Sequence, residues 1–331
     1  MKKIKLQELE RLAKNIMLKS GNLKENQIDS VVEVLLFAQK TGRHTQGVIK
    51  LIGTEPLQEI KQSNEIETVK ETKLSLKLAA HGNPAPLVTT IGMQKAIEKC
   101  VAHGIGIVGI NGIYSSNGAQ AYYVNEIAKK GFVGIICSRS PSVIPPYGGK
   151  EPIFGTNPIA FGFPTNEEPI FFDMACSAIT WYGLVQAKAN GKPIPENIAR
   201  DKNGNLTCDP SAAMNGSILA FDKSYKGVGL AMVVELLGGP LVGASFASAN
   251  PGDDWGVFIL ALDPELLTDK SDFLKANSAL REQVLNSKPI NQDKIVSMPG
   301  DRSIVNLKTA EETGMVEIDE VVLEQLLLLN K

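Results

Sequence analysis

Apolar residues recur at helical spacing from the start of the chain. Leu6, Leu9, Leu12, Ile16 and Met17 share one face over residues 5–19, and Ile28, Val31, Val32, Leu35 and Leu36 share another over 24–40. The cluster Ser20-Gly21-Asn22 between them is a helix stop, so two amphipathic helices are expected. A polar stretch follows around 62–73. From Ala85 the texture changes. Leu87, Ile91, Ala96, Ile97, Cys100 and Val101 mark one helix face, GIGIVGI at 104–110 is a short buried strand, a helix is expected around 118–130, and FVGIIC at 132–137 is a second strand. Short strands flanking a helix suggest parallel sheet units. Residues 159–164, 169–175 and 255–262 are further strand candidates. Residues 226–243 read as a buried, closely packed helix, and the tail after Asp319 as a last amphipathic helix through Leu329.

Length, composition and charge narrow the class. A chain of 331 residues can hold one large domain or two ordinary ones. Apolar residues at 43% and charged residues at 21% supply a sizeable core and exclude disordered and fibrous classes. The net charge of −2, without a Lys/Arg-rich run, gives no nucleic-acid or membrane surface. No stretch approaches the ~18 apolar residues of a membrane span. Cys100, Cys137, Cys176 and Cys208 lie far apart, which suits neither a disulfide framework nor a zinc site and fits reduced thiols in the cytoplasm. No metal is expected.

Gly104-Ile105-Gly106-Ile107-Val108-Gly109 matches the GxGxxG fingerprint of dinucleotide-binding folds. That fingerprint needs a strand before it and a helix opening at its end. Here a helix precedes it, and the alternating Ile and Val residues make the motif itself a strand. The glycines are therefore not read as a phosphate cradle.

A second group of motifs is more informative. Tyr147-Gly148-Gly149, Gly155-Thr156-Asn157-Pro158, Phe172-Asp173-Met174-Ala175, Asp201-Lys202-Asn203-Gly204, Asp209-Pro210 and Lys226-Gly227-Val228-Gly229-Leu230 follow in that order. Each alone could be turn chemistry. Together they resemble the malate/L-lactate dehydrogenase family, and within it the ureidoglycolate dehydrogenase pattern, over nearly the whole chain. The resemblance implies an α/β fold: a mixed sheet with flanking helices in a non-Rossmann dinucleotide-binding core over 76–269. A smaller helical part would form from 1–75 packing with 270–331. It implies NAD or NADP as cofactor, a small carboxylate as substrate, and a homodimer. Ser140 matches a serine near the nicotinamide end, Asp173, Met174 and Ala175 match a segment lining the dinucleotide, Lys226 matches a cofactor-site lysine, and Pro299, Gly300 and Asp301 match a segment closing over the cofactor. Asp222-Lys223 stand where the family carries two glycines.

The catalytic half of the pattern is altered. The family signature Gly-x-x-Ser-His-Gly, with arginine three residues on, matches Gly42-Arg43-His44-Thr45-Gln46-Gly47-Val48-Ile49-Lys50. Gln46 replaces the proton-exchanging histidine and Lys50 the carboxylate-holding arginine. Ser116 stands where the family has a second histidine, two residues before Gly118. Glutamine can donate a hydrogen bond but has no proton to exchange near neutral pH. Lysine offers a point charge rather than a two-pronged contact. On a continuing helix Arg43, Gln46 and Lys50 would share a cationic face, whereas His44 would contribute only from a loop. Tyr114 and water are other proton donors, and His81 and His103 read as structural. Two functions are therefore carried forward. One is an NAD(P)-dependent oxidoreductase for a 2-hydroxy/2-oxo acid or a cyclic imino acid, with Lys50 and Arg43 on the carboxylate and Gln46 polarising the reacting group. The other is a catalytically degenerate member that binds a dinucleotide or metabolite without turnover.

Overall fold

The computed structural model describes the chain except residues 22, 53–55, 61–64, 250–253 and 292–294, and leaves the Gln58 side chain undescribed. Its strands are β1 (Lys2–Lys5), β2 (Glu67–Glu71), β3 (Ser75–Ala79), β4 (Ile105–Ile113), β5 (Val133–Ser138), β6 (Ile159–Phe163), β7 (Ile170–Met174), β8 (Ala199–Arg200), β9 (Ser217–Ile218), β10 (Trp255–Leu262) and β11 (Met315–Ile318). The helices are α1 (Leu6–Lys19), α2 (Glu25–Lys40), α3 (Ala85–His103), α4 (Gln120–Lys129), α5 (Trp181–Ala189), α6 (Pro210–Met214), α7 (Tyr225–Gly238), α8 (Lys270–Leu285), α9 (Asp301–Thr313) and α10 (Glu320–Leu329). The helix stop after α1 is seen at Ser20 and Gly21; Asn22 lies outside the described residues.

Seven strands form one mixed sheet in the order β2-β3-β4-β10-β5-β6-β7. Only β3 and β4 pair in parallel; the other neighbours are antiparallel. The expected parallel unit of GIGIVGI and FVGIIC therefore does not pair directly. Strand β10 is inserted between them, with Ile259 opposite Val108 on one side and Ile136 on the other. An apolar run such as WGVFILAL suits a central strand covered on both faces, but nothing local shows which two strands it will separate.

The GxGxxG segment is strand β4, as its alternation indicates. Its glycines serve packing. A Cβ on Gly106 would run into the Ala96 carbonyl of α3, and one on Gly109 into Val242. The missing side chains let a helix and a loop lie close against the sheet.

Three cores surround this sheet. α3 and α4 cover one face through Val88, Ala96, Tyr123 and Val124 against Val108, Ile110, Ile136 and Ile259. A second core joins the two chain ends: Leu9, Ile16, Ile28, Val32 and Leu35 pack with Val316, Ile318, Leu323 and Leu326, and β1 pairs with β11. Helix α8 has no buried residue and adds nothing to that core. The third gathers Ile144, Leu184, Ile218, Ala231 and Val234 beneath α5 to α7.

Helix α7 corrects two expectations. It is not buried all round: Ala231, Val234, Glu235 and Gly238 face inward, while Met232, Val233 and Leu236 are exposed. The stretch Tyr225–Val242 is also long and apolar enough, by length and composition, to cross a membrane. Within this fold its Glu235 instead points inward, 3.7 Å from the fully buried Arg139. The outward apolar positions are exposed among the described residues.

Candidate functional site

α2 ends at Thr41, whose hydroxyl donates to the Phe37 carbonyl, and Gly42 follows with φ +75°. The chain then makes two short 3-10 turns, His44–Gln46 and Val48–Leu51, instead of continuing the helix. Gly47 between them lies against α2, where a Cβ would meet the Gln39 side chain and the Leu35 carbonyl. These turns direct Arg43, Gln46 and Lys50 into one cavity of 760 Å³. His44 is not among the residues lining it. Its Nδ1 lies 2.9 Å from Gln39 Nε2, and burial lowers its pKa against the opposing pull of Glu317 and Asp319. The expected coincidence of Arg43, Gln46 and Lys50 thus arises from tight turns rather than an α-helical face. Tyr114 does not line the cavity either.

Lys50 is 2% exposed, and its ammonium lies 3.2 Å from the centre of the Tyr182 ring. The ring face attracts the cation and helps to position it. On another wall, β7 ends with Asp173, Met174 and Ala175, all lining the cavity. Asp173 Oδ2 accepts from Arg43 Nη1 at 3.5 Å and from the Ala121 N–H, at the start of α4, at 3.0 Å. Burial raises the Asp173 pKa, and Arg43 and the Ala121 N–H oppose that shift without cancelling it.

The loop after β4 supplies Ser116 and Asn117, and the first residue of α4 supplies Gln120. Gln120 Nε2 donates to Ser138 Oγ at 2.7 Å, whereas Gln120 Oε1 and Asn117 Nδ2 are buried without hydrogen-bond partners among the described residues. An unpaired buried acceptor or donor costs about 1–3 kcal/mol, so these two atoms mark places where a ligand's polar groups would be stabilised.

Ser140 sits on a fourth wall, held by a clasp. Its N–H donates to Asn157 Oδ1 at 3.2 Å, and its hydroxyl is 3.0 Å from that of Thr156. Asn157 adopts φ +42°, a region asparagine tolerates better than most residues. Its amide donates to Glu235 Oε2 at 2.8 Å and to the Ala231 carbonyl at 2.9 Å, which anchors the clasp to α7. A Cβ at Gly155 would collide with the Ser140 carbonyl and Asn157 Oδ1, so only glycine fits there.

The remaining expected cofactor residues lie outside the cavity lining. Lys226 is exposed in the first turn of α7. Pro299 and Gly300 lead into α9, and Asp301 is paired with Arg281 and accepts from the Met298 N–H at 2.7 Å. The next residue, Arg302, does line the cavity. Sequence reasoning missed it, along with Asn117, Gln120, Tyr182 and Trp255. Gln120 carried a usable signal, as a polar residue opening an otherwise apolar helical run; Arg302 carried none. Lys223 takes a left-handed φ of +58°, in a turn braced by Asp222 accepting from the Ser224 and Gly227 N–H groups. Among the described residues, no group of three His, Cys, Asp or Glu side chains could hold a metal.

This mixed sheet, with the two chain ends joined beside it, is the fold of solved dehydrogenases and reductases. Residues 4–327 match the malate/L-lactate dehydrogenase family, and the chain belongs to it. It is 38% identical to the malate/(S)-sulfolactate dehydrogenase of Methanothermus fervidus, over 81% of this chain and 78% of that one. It is 29% identical to the NAD(+) ureidoglycolate dehydrogenase of Escherichia coli K12, over 96% and 93%. The crystal structure of Δ1-piperideine-2-carboxylate reductase from Pseudomonas syringae superposes with a TM-score of 0.84 at 26% identity, covering 99% of this chain and 100% of that one.

Proposed function

We propose that this protein is an NAD(P)-dependent oxidoreductase that moves hydride to or from a small carboxylate substrate, a 2-hydroxy/2-oxo acid or a cyclic imino acid. The observation that carries this reading is one cavity that joins the buried Lys50 ammonium and Gln46 to the Asp173-Met174-Ala175 segment and Ser140. The orphaned Asn117 donor and Gln120 acceptor fit a carboxamide, which offers one group of each kind. In this reading Ser140, Asp173, Met174 and Ala175 hold the dinucleotide within the cavity, and Lys226, Pro299, Gly300 and Asp301 hold its outer part. A bound nicotinamide supplies or takes the hydride.

The protein's own groups do the rest. Lys50 holds the substrate carboxylate, with Arg43 and Arg302 adding positive charge on the same cavity. Gln46 and Ser116 donate hydrogen bonds to the reacting oxygen or nitrogen, stabilising charge as it develops there. A C=N substrate suits the Gln46 and Ser116 substitutions, because an iminium carries its proton before hydride arrives.

The wider organisation belongs to the same proposal. The 76–269 region forms the dinucleotide-binding core, with 1–75 and 270–331 as the smaller part. The exposed Met232, Val233 and Leu236 of α7, with Leu241, form the face on which a second copy docks. Free thiols at Cys100, Cys137, Cys176 and Cys208 suit a cytoplasmic setting.

Titration of the purified protein with NADH and with NADPH, followed by nicotinamide fluorescence, tests the central claim. Saturable binding of one supports the reading and fixes the cofactor preference. Binding of neither removes it.

A further inference from the structure

The two positions at which the family carries histidine hold Gln46 and Ser116, and neither can exchange a proton near neutral pH. We propose that Asp173 is the acid–base residue of this site, its Oδ1 delivering and recovering the proton that Gln46 and Ser116 cannot. This rests on the functional reading above and goes beyond it.

Asp173 is the one carboxylic acid among the described residues that line the cavity. Both of its hydrogen bonds, from Arg43 Nη1 and from the Ala121 N–H, fall on Oδ2. Oδ1 has no hydrogen-bond partner among the described residues and is not among the side-chain atoms shut off from solvent, so it opens on the cavity. The charged groups facing Asp173 are Arg43, from the turn after α2, and the α4 N-terminus. Lys50 and Arg302 share the cavity, and no second carboxylate does. Cationic neighbours alone would hold Asp173 ionised at all working pH values, but burial outweighs them and raises its pKa. A carboxyl tuned upward by burial is the environment that general acids use.

The step balances as follows. In the reductive direction the carbonyl carbon gains hydride, the electron pair of its C–O π bond takes the proton from Asp173 Oδ1, and the hydroxyl forms. The nicotinamide ends oxidised, and Asp173 is left as carboxylate until water returns its proton. In oxidation the same oxygen accepts the hydroxyl proton. An imine that binds already protonated bypasses the transfer.

The test compares wild type with Asp173→Asn and Asp173→Glu, using oxaloacetate and Δ1-pyrroline-2-carboxylate as probes with whichever of NADH and NADPH binds. Asp173→Asn should lower kcat for oxaloacetate at least ~100-fold, the usual scale for loss of a positioned acid. Its KM for oxaloacetate should change far less than kcat, and coenzyme should still saturate it, with any weakening of that binding smaller than the loss in kcat. Reduction of the iminium should fall far less, and Asp173→Glu should restore part of the oxaloacetate rate. Wild-type kcat for oxaloacetate should decline as pH rises through the Asp173 titration, and the variant should lose that limb. Independently of turnover, the infrared pH-difference spectrum of the free protein should show a carboxylic-acid C=O band that titrates above the ordinary aspartate range and is absent from Asp173→Asn.

An Asp173→Asn protein that binds coenzyme and reduces oxaloacetate within threefold of wild type overturns the proposal for Asp173 alone and points to Lys50 or Tyr182. A loss of coenzyme affinity that accounts for the whole loss of turnover, with kcat at saturating coenzyme unchanged, also overturns it and leaves Asp173 only its dinucleotide-holding role. Failure of the wild type to bind either coenzyme is distinct: it removes the functional reading and this proposal together.

Discussion

Truncating Glu235 to alanine should destabilise the protein by about 3–5 kcal/mol, although the residue does not line the site cavity. Glu235 is 4% exposed, and the Arg139 guanidinium 3.7 Å from it is fully buried. Removing one member of a buried ion pair costs ~3–5 kcal/mol, because the other charge loses that partner in a poorly polarisable interior, even with Asp254 still favouring the Arg139 charge. Glu235 also accepts from the Asn157 amide and the Ala247 N–H. Asn157 keeps its bond to the Ala231 carbonyl, but the Ala247 N–H loses its side-chain acceptor, so the upper part of that range is expected. Such a loss is a large share of the ~5–15 kcal/mol that keeps a typical domain folded. Urea unfolding at constant protein concentration, with an unchanged m-value, gives the number. Adding Arg139→Met to Glu235→Ala should recover at least ~1 kcal/mol, because the poorly compensated buried charge then disappears. The mechanism is refuted if Glu235→Ala costs under ~1 kcal/mol, or if the double variant is no more stable than the single one. Because Asn157 in turn receives the Ser140 N–H, the same variant should also weaken NADH binding without touching the cavity wall.

Three further outcomes follow from individual contacts. Gly155→Ala would press its Cβ onto the Ser140 carbonyl and Asn157 Oδ1, so its NADH dissociation constant should rise about tenfold or more while far-UV circular dichroism stays native; unchanged binding would separate Ser140 from the cofactor seat. Lys50→Met keeps the bulk against Tyr182 but removes the charge; a charge-assisted hydrogen bond of ~1.5–3 kcal/mol implies a KM for oxaloacetate raised ~10–150-fold with a smaller change in kcat, and a KM within twofold would exclude Lys50 as the carboxylate anchor. The folded-state pKa of Asp173 lies above its ordinary 3.8, so the native state holds that proton more tightly than the unfolded chain does. Its contribution to stability is therefore fully present below the ordinary value and is lost as pH rises through the raised one; Asp173→Asn should abolish that fall in urea midpoints, and parallel pH profiles for the two proteins would contradict the assignment.

Much of the fold was legible because it is set by local periodicity. α1 and α2 announce themselves by apolar spacing, and the GxGxxG run declares itself a strand through its alternating Ile and Val residues. The insertion of β10 between β4 and β5 was not legible, because β10 begins 142 residues after the end of β4, from Ile113 to Trp255, and one buried apolar strand reads like another. The outer face of α7 was misread for a related reason: Met232, Val233 and Leu236 show that a face is apolar, not what covers it. The site divides along the same line. Arg43, Gln46 and Lys50 could be brought together from sequence because one short segment carries all three, even though the turns holding them were not foreseen. Lys223 takes a left-handed φ of +58°, a conformation nothing in the sequence signalled. Asp173 is the opposite case. Its letter follows the family pattern, but its surroundings differ from what that letter suggests: a carboxyl enclosed by α4, the Arg43 turn and the cavity, with one oxygen bonded and the other open. The sequence shows that Gln46 and Ser116 cannot move a proton; only the packing of elements far apart in the chain indicates which neighbouring group can take over that work.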